Sequence, residues 1–141
     1  MYNDQKFPEQ ADVPQPFTVK RASGAHDAFI AKLKADVRAE MAWRRRGDPS
    51  PRLFQGVYFF QVESGPIKIG IAAKPEIRLA QVRVSNHEHV RLIGLAVGGD
   101  ILEKLLHETF AEDRIRGEWF RPSERLLAVI EGLGQGNWLY E

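Results

Sequence analysis

The stretch GVYFFQVESGPIKIGIA, residues 56–72, constrains the chain most. Two runs rich in Val, Ile, Tyr and Phe flank a turn at Ser64-Gly65-Pro66, the pattern of a β-hairpin. Alternation places Lys68 on the opposite face from Ile67 and Ile69. Gly70 follows on the same face as Lys68. A hairpin needs an apolar face, but it needs neither Tyr58 near its start, nor Lys68 in its second arm, nor Gly70. Glycine weakens a strand unless a neighbouring backbone or a ligand must come close.

The rest of the chain supplies partners for that hairpin. Residues 1–22 hold three of the eight prolines and read as a flexible arm. Phe29, Leu33, Val37 and Met41 then recur at four-residue spacing, beside Ile30 and Ala31, and predict an amphipathic helix over roughly 26–45. Ser23 and Asp27 stand near its start, where they can cap it or favour its dipole. Arg44-Arg45-Arg46 complement the dipole at its end. Gly47-Asp48-Pro49-Ser50-Pro51 breaks the chain, so residues 23–50 form a helix and linker ahead of a domain over 53–134. Within the domain, strands are expected at 55–63, 66–72 and 90–97. Helices are expected from Pro75 to about Ser85, after Gly98-Gly99-Asp100 with an apolar face through Ile101, Leu102, Leu105, Leu106 and Phe110, and over 123–133. Ser123 can cap the last helix and Gly134 can end it. Residues 116–122 read as a turn with a short extended piece, and 135–141 as a tail. This order predicts an α+β fold: a small three-stranded antiparallel sheet flanked by helices, with an N-terminal helix.

Composition narrows the chemistry. The 141 residues contain no cysteine, which excludes disulfides, thiolate metal sites and cysteine nucleophiles. A formal charge of +1 argues against a uniformly basic surface and leaves room for a local patch. No run approaches the roughly 18 apolar residues of a membrane span, and the N-terminus lacks the apolar core of a signal peptide. A soluble cytoplasmic protein is the expectation.

Taken singly, the chemically interesting residues are ambiguous. Tyr58 can be an ordinary strand aromatic, Lys68 a solvated strand residue and Arg78 a solvated helix residue. Glu103 and His107, spaced i, i+4, share one helix face and can hold a metal together, orient one another, or simply pair. Arg114, Arg116, Glu118 and Trp119 fall close together, and Glu118 can pair with one of those arginines. No phosphate loop, nucleophile elbow or His-Glu-x-x-His run is present.

The order of the parts carries more than any one of them. Gly56-Val57-Tyr58, Lys68-Ile69-Gly70, the helix EIRLAQVRVSN with Arg78-Leu79, and LEKLLHETF followed by RIRGEWFRP together resemble the GIY-YIG nuclease superfamily over about residues 55–130. They are most similar to its phage-type branch, which includes a fungal meiotically up-regulated gene product. The resemblance implies a metal-dependent endonuclease that hydrolyses DNA phosphodiester bonds. Tyr58 would contact or deprotonate the attacking water, and Arg78 would neutralise charge on the scissile phosphate. Glu103 would hold Mg²⁺ or Mn²⁺, and Gly70 would leave room for substrate. Lys68 stands where the superfamily carries a second tyrosine; it would favour the ionised form of Tyr58 or grip a phosphate. His107 would orient Glu103, ligate directly, or belong to the core, and Arg114 and Arg116 would bind substrate. The asparagine that often closes the site has no obvious counterpart; Glu118 and Asn137 are the nearby candidates.

Two other functions fit the same residues: a catalytically degenerate nucleic-acid-binding module, and a protein-interaction scaffold in which helix 26–45 docks a partner. DNA is the expected partner, with the Arg44–Arg46 cluster as a candidate phosphate contact and a solvated helix end as its bland alternative. DNA structure preference, biological pathway and oligomeric state are not encoded in any of these motifs.

Overall fold

A computed structural model describes residues 26–47, 51–134 and 138–140. The hairpin forms as its alternation requires. Strand β1 (Gly56–Val62) pairs antiparallel with β2 (Ile67–Ala72), with Tyr58 opposite Gly70 and Phe60 opposite Lys68. Gly65, at φ 122°, makes the turn, and the Gln61 amide closes it by donating to the Gly65 carbonyl at 2.8 Å. Helix α2 (Pro75–Val84) follows, and β3 (Val90–Ala96) then pairs with the other side of β1, with a bulge between Phe59 and Phe60.

The sheet has five strands rather than three, in the order β3-β1-β2-β5-β4, and every pairing is antiparallel. The added strands are β4 (Arg114–Arg116) and β5 (Trp119–Phe120), joined by a turn at Gly117, whose φ is 56°. They are three and two residues long, and all of β4 is exposed. No alternation can show over so few residues. Their strand character comes from pairing: Lys68 faces Trp119 and Ile67 faces Phe120 across β2 and β5.

Both faces of the sheet are covered, which explains why β1 is buried at almost every position. On one face Val57, Phe59, Ile67, Ile69 and Ile71 join the main core with α1 (Asp27–Gly47), α3 (Gly99–Thr109) and α4 (Glu124–Leu133). On the other, Tyr58, Phe60, Val62, Ala72 and Val90 pack with Val82 and Leu79 of α2 and with Trp119.

Helix α1 extends two residues beyond its expected end, and Ile30, Leu33, Val37 and Met41 form its buried stripe. The stripe packs against α3, α4 and the turn Trp138–Tyr140. Ser23 and the expected break at residues 48–50 lie outside the described residues. At the C-terminal end of α1, Arg44 reaches Asp100 Oδ2 at 3.5 Å and Arg45 lies over the Phe54 ring at 5.9 Å, while Arg46 is exposed. The start of α3 is pressed against the preceding turn: a Cβ at Gly99, whose φ is 53°, would strike the Arg52 and Leu53 carbonyls. Ser123 caps α4 by accepting from the Leu126 N–H at 3.2 Å, and Gly134 ends the helix.

Within the segment expected as a tail, Trp138 is fully buried and donates from its indole N–H to the Leu133 carbonyl at 3.0 Å. A single tryptophan between glycine, asparagine and the chain's last residues has no periodicity to betray that role. Among the described residues no helix is long and apolar enough to cross a membrane.

Because the α1 stripe belongs to the core, Leu33→Ala should lower the unfolding free energy by about 2–5 kcal/mol in a single denaturant transition. A loss below about 0.5 kcal/mol would mean that α1 packs independently of the domain.

Candidate active site

The face of the sheet under α2 carries the chemistry. Tyr58 and Lys68 both point from it, but Lys68 lies two pairs along from Tyr58, opposite Phe60, because Gly70 is the residue opposite the tyrosine. The Tyr58 ring stacks on Phe60, with centroids 4.1 Å apart, and leans across β2. A Cβ at position 70 would run into the Tyr58 hydroxyl and come within 2.6 Å of Cζ. Glu118 Oε1 lies 3.1 Å from the same point. The groups drawn over Gly70 in the free protein are therefore the Tyr58 hydroxyl and the Glu118 carboxylate.

That hydroxyl is buried and has no hydrogen-bond partner of good geometry. Burial raises the phenol above its ordinary value of 10.0, and the Glu118 charge adds to the effect. The Lys68 charge pulls the other way without prevailing, as does Arg78, whose guanidinium reaches toward the hydroxyl without meeting hydrogen-bond geometry. Tyr58 is thus a neutral hydroxyl at physiological pH. The expected shift toward the ionised form, driven by Lys68, is outweighed by desolvation. Arg78 projects from the first turns of α2, is exposed, and is steadied by Gln81 at 3.2 Å.

The partner of Lys68 is Glu118, at 2.8 Å, and the ammonium also sits 5.7 Å from the centre of the Trp119 ring. An arginine partner was open to Glu118; strand pairing gives it Lys68 instead. With Lys68 in register with Trp119, and the Glu118 carbonyl accepting from the Ile69 N–H at 2.9 Å, the carboxylate is delivered to the sheet face. The two residues are 50 positions apart, so no local spacing reveals the pair. The nearest sequence signal is the Gly117-Glu118 turn in front of two aromatics.

Glu103 and His107 share a face of α3 as their spacing requires. His107 is committed to the sheet. Its Nε2 is 3.0 Å from the Ile69 carbonyl, which can only accept, so Nε2 carries the hydrogen. Nδ1 then accepts from the Arg114 guanidinium at 3.1 Å. The ring packs edge-on against Phe120, and Arg114 lies over that same Phe120 ring. Both ring nitrogens and Arg114 are thereby occupied. Arg116, by contrast, is fully on the surface, paired across the strands with Trp119.

Glu103 is half-buried, with no hydrogen bond or salt bridge among the described residues. Burial raises its carboxyl above the ordinary 4.5, and Glu118 and Asp100 add to this. Arg52 opposes the shift, as does His107 to the extent that its ring is charged. Glu103 also lines an open groove of about 990 Å³ between α1 and α3, beside Trp43, Arg44 and Asp100; Tyr58 and Lys68 do not border that groove. Glu118 is the group that acts on both Tyr58 and Glu103, and so links the two ends of the cluster.

Two cations around a neutral buried hydroxyl, with carboxylates close by, suit an oxyanion that must be held and polarised. Among the described residues no group of three His, Asp or Glu side chains is arranged to hold a metal ion. Mg²⁺ asks for less: it keeps several waters and takes one or two carboxylates plus substrate oxygens. An unbonded, half-buried Glu103 carboxylate fits that demand.

An unsatisfied buried hydroxyl is a cost to the fold. Tyr58→Phe should leave the unfolding free energy at or above that of the wild type, by up to about 2 kcal/mol in denaturant titration. A fall of more than about 1 kcal/mol would show that the hydroxyl is bonded.

The model of the T5orf172 domain, a nuclease-associated fold, matches residues 55–133. Neither the curated proteins nor the solved structures give a match. The matched segment runs from the start of β1 to the end of α4 and holds Tyr58, Lys68, Arg78, Glu103, His107 and Glu118, while α1 lies outside it. By that match over more than half of its length, the chain belongs to the T5orf172 domain family.

Proposed function

We propose that the chain is a metal-dependent endonuclease that hydrolyses DNA phosphodiester bonds. The observation that carries this reading is the buried, unbonded Tyr58 hydroxyl facing Lys68 and Arg78 over Gly70. In the free protein the ring packs, but the buried hydroxyl is a cost. A phosphate entering between the cations would accept from the hydroxyl and satisfy it.

The roles follow from the environment of each group. Tyr58, kept neutral by burial, donates to a phosphoryl oxygen or orients the attacking water. Arg78 neutralises charge that builds on the phosphoryl oxygens, an effect worth several kcal/mol where donors are preorganised. Lys68 grips the phosphate from the opposite strand. Glu103 holds Mg²⁺ or Mn²⁺, which when bound supplies a water acidified toward neutral pH. His107 ties α3 to the Ile69 carbonyl and so sets where Glu103 sits, and its bond to Arg114 fixes that guanidinium in turn. Arg116 is left to meet a neighbouring phosphate, and Arg46 to extend the contact along the duplex. Gly70 serves substrate indirectly, by admitting the tyrosine.

The scaffold reading has less to stand on, because the apolar stripe of α1 is buried in the core. Supercoiled plasmid separates the remaining two. Nicking is expected with Mg²⁺ or Mn²⁺ and none with EDTA or with Glu103→Ala. Arg78→Ala should slow nicking by about 10²–10³-fold. Steeply salt-dependent DNA binding without cleavage by the wild type would overturn the enzyme in favour of a binding module.

A further inference from the structure

We propose that Glu118 is a positioning residue of this site: it holds the Lys68 ammonium on the sheet face beside Tyr58, so that the cation is aimed at the substrate phosphate. The inference rests on the hydrolytic reading above and gives Glu118, until now only a nearby candidate in the RIRGEWFRP stretch, a role through Lys68.

The geometry is over-determined on the Glu118 side. Its backbone carbonyl is bound by the Ile69 N–H at 2.9 Å, the turn before it is made by Gly117 at φ 56°, and the next residue, Trp119, is in register with Lys68. The carboxylate therefore starts from a fixed point. Lysine does not: its four-carbon stem carries about 2 kcal/mol of rotamer entropy, and without a partner the ammonium would sample solvent. Glu118 Oε1 at 2.8 Å and the Trp119 ring at 5.7 Å gather it to one place. Oε1 also hangs over Gly70 beside the Tyr58 hydroxyl.

Stability alone does not account for this pair. The Glu118 side chain is 40% exposed, and ion pairs at that exposure contribute about 0–1 kcal/mol. Three charged groups face Tyr58: Lys68 from β2, Arg78 from α2 and Glu118 from the β4–β5 turn. Glu118 raises the phenol and Lys68 lowers it, which gives a readout that does not depend on cleavage.

The first arm of the test is a double-mutant cycle on plasmid nicking with Glu118→Ala, Lys68→Met and the double variant. If Glu118 acts through Lys68, each single change lowers kcat by about tenfold or more with KM little altered, and the double variant is no slower than Lys68→Met alone, within about twofold. Glu118→Gln keeps an acceptor for the ammonium and should retain more activity than Glu118→Ala. Losses that multiply in the double variant overturn the proposal.

The second arm follows phenolate absorbance against pH, with Tyr58→Phe subtracted to remove the other two tyrosines of the chain. Glu118→Gln should move the Tyr58 titration down and Lys68→Met should move it up. If either change leaves the titration where it was, the pair does not stand beside Tyr58 and the proposal falls. A wild type that cuts no DNA would defeat the hydrolytic reading alone, since the titration still decides where Glu118 holds Lys68.

Discussion

The Tyr58 side chain lies across β2 only because position 70 has no Cβ. Any other residue there would push the hydroxyl off the strand, since the nearest atoms to its Cβ would be those of the phenol. The rest of the site is arranged around that contact. Lys68 sits two pairs along on the same strand, Arg78 comes in from the helix that covers the face, and Glu118 closes the ring from the far hairpin. The five-stranded sheet is the frame: β1 at its interior offers one face to the main core and the other to the site.

Burial and charge work against each other over this frame, and burial wins at both ends. At Tyr58 desolvation outweighs two cations, which keeps the hydroxyl protonated and makes it a donor. At Glu103 desolvation, reinforced by Glu118 and Asp100, disfavours the carboxylate. Each group is uncomfortable in the free protein; under the proposed function a phosphate would relieve the hydroxyl and a divalent cation the carboxylate. An active site that is destabilised before its ligands arrive spends less of their binding energy on reorganisation.

The sequence makes much of this readable, and the limits have physical causes. Period-2 alternation placed Lys68 and Gly70 on one face of the hairpin's second arm, and period-3.6 spacing placed Glu103 and His107 on one face of α3. Ser123 was recognisable as a cap because capping is local chemistry. The failures are all non-local. Strands β4 and β5 exist through pairing with β2 and are too short to show a pattern. Glu118 meets Lys68 across 50 residues, through a register that only the folded sheet defines. His107 spends both ring nitrogens on a backbone carbonyl and an arginine, a commitment invisible beside the Glu103 spacing that first drew attention to it. Gly70 was read as leaving room for a backbone or a ligand; the group that lies over it is the protein's own tyrosine.

The central claim is that the space between Tyr58, Lys68 and Arg78 receives a phosphate. A crystal structure of Glu103→Gln bound to a short DNA duplex tests it most directly. A backbone phosphate oxygen should lie within hydrogen-bond reach of the Tyr58 hydroxyl, about 2.6–3.2 Å, with Lys68 or Arg78 on the same phosphate. A duplex seated along Arg44–Arg46, or in the groove between α1 and α3, with the Tyr58 hydroxyl still unbonded, would contradict it.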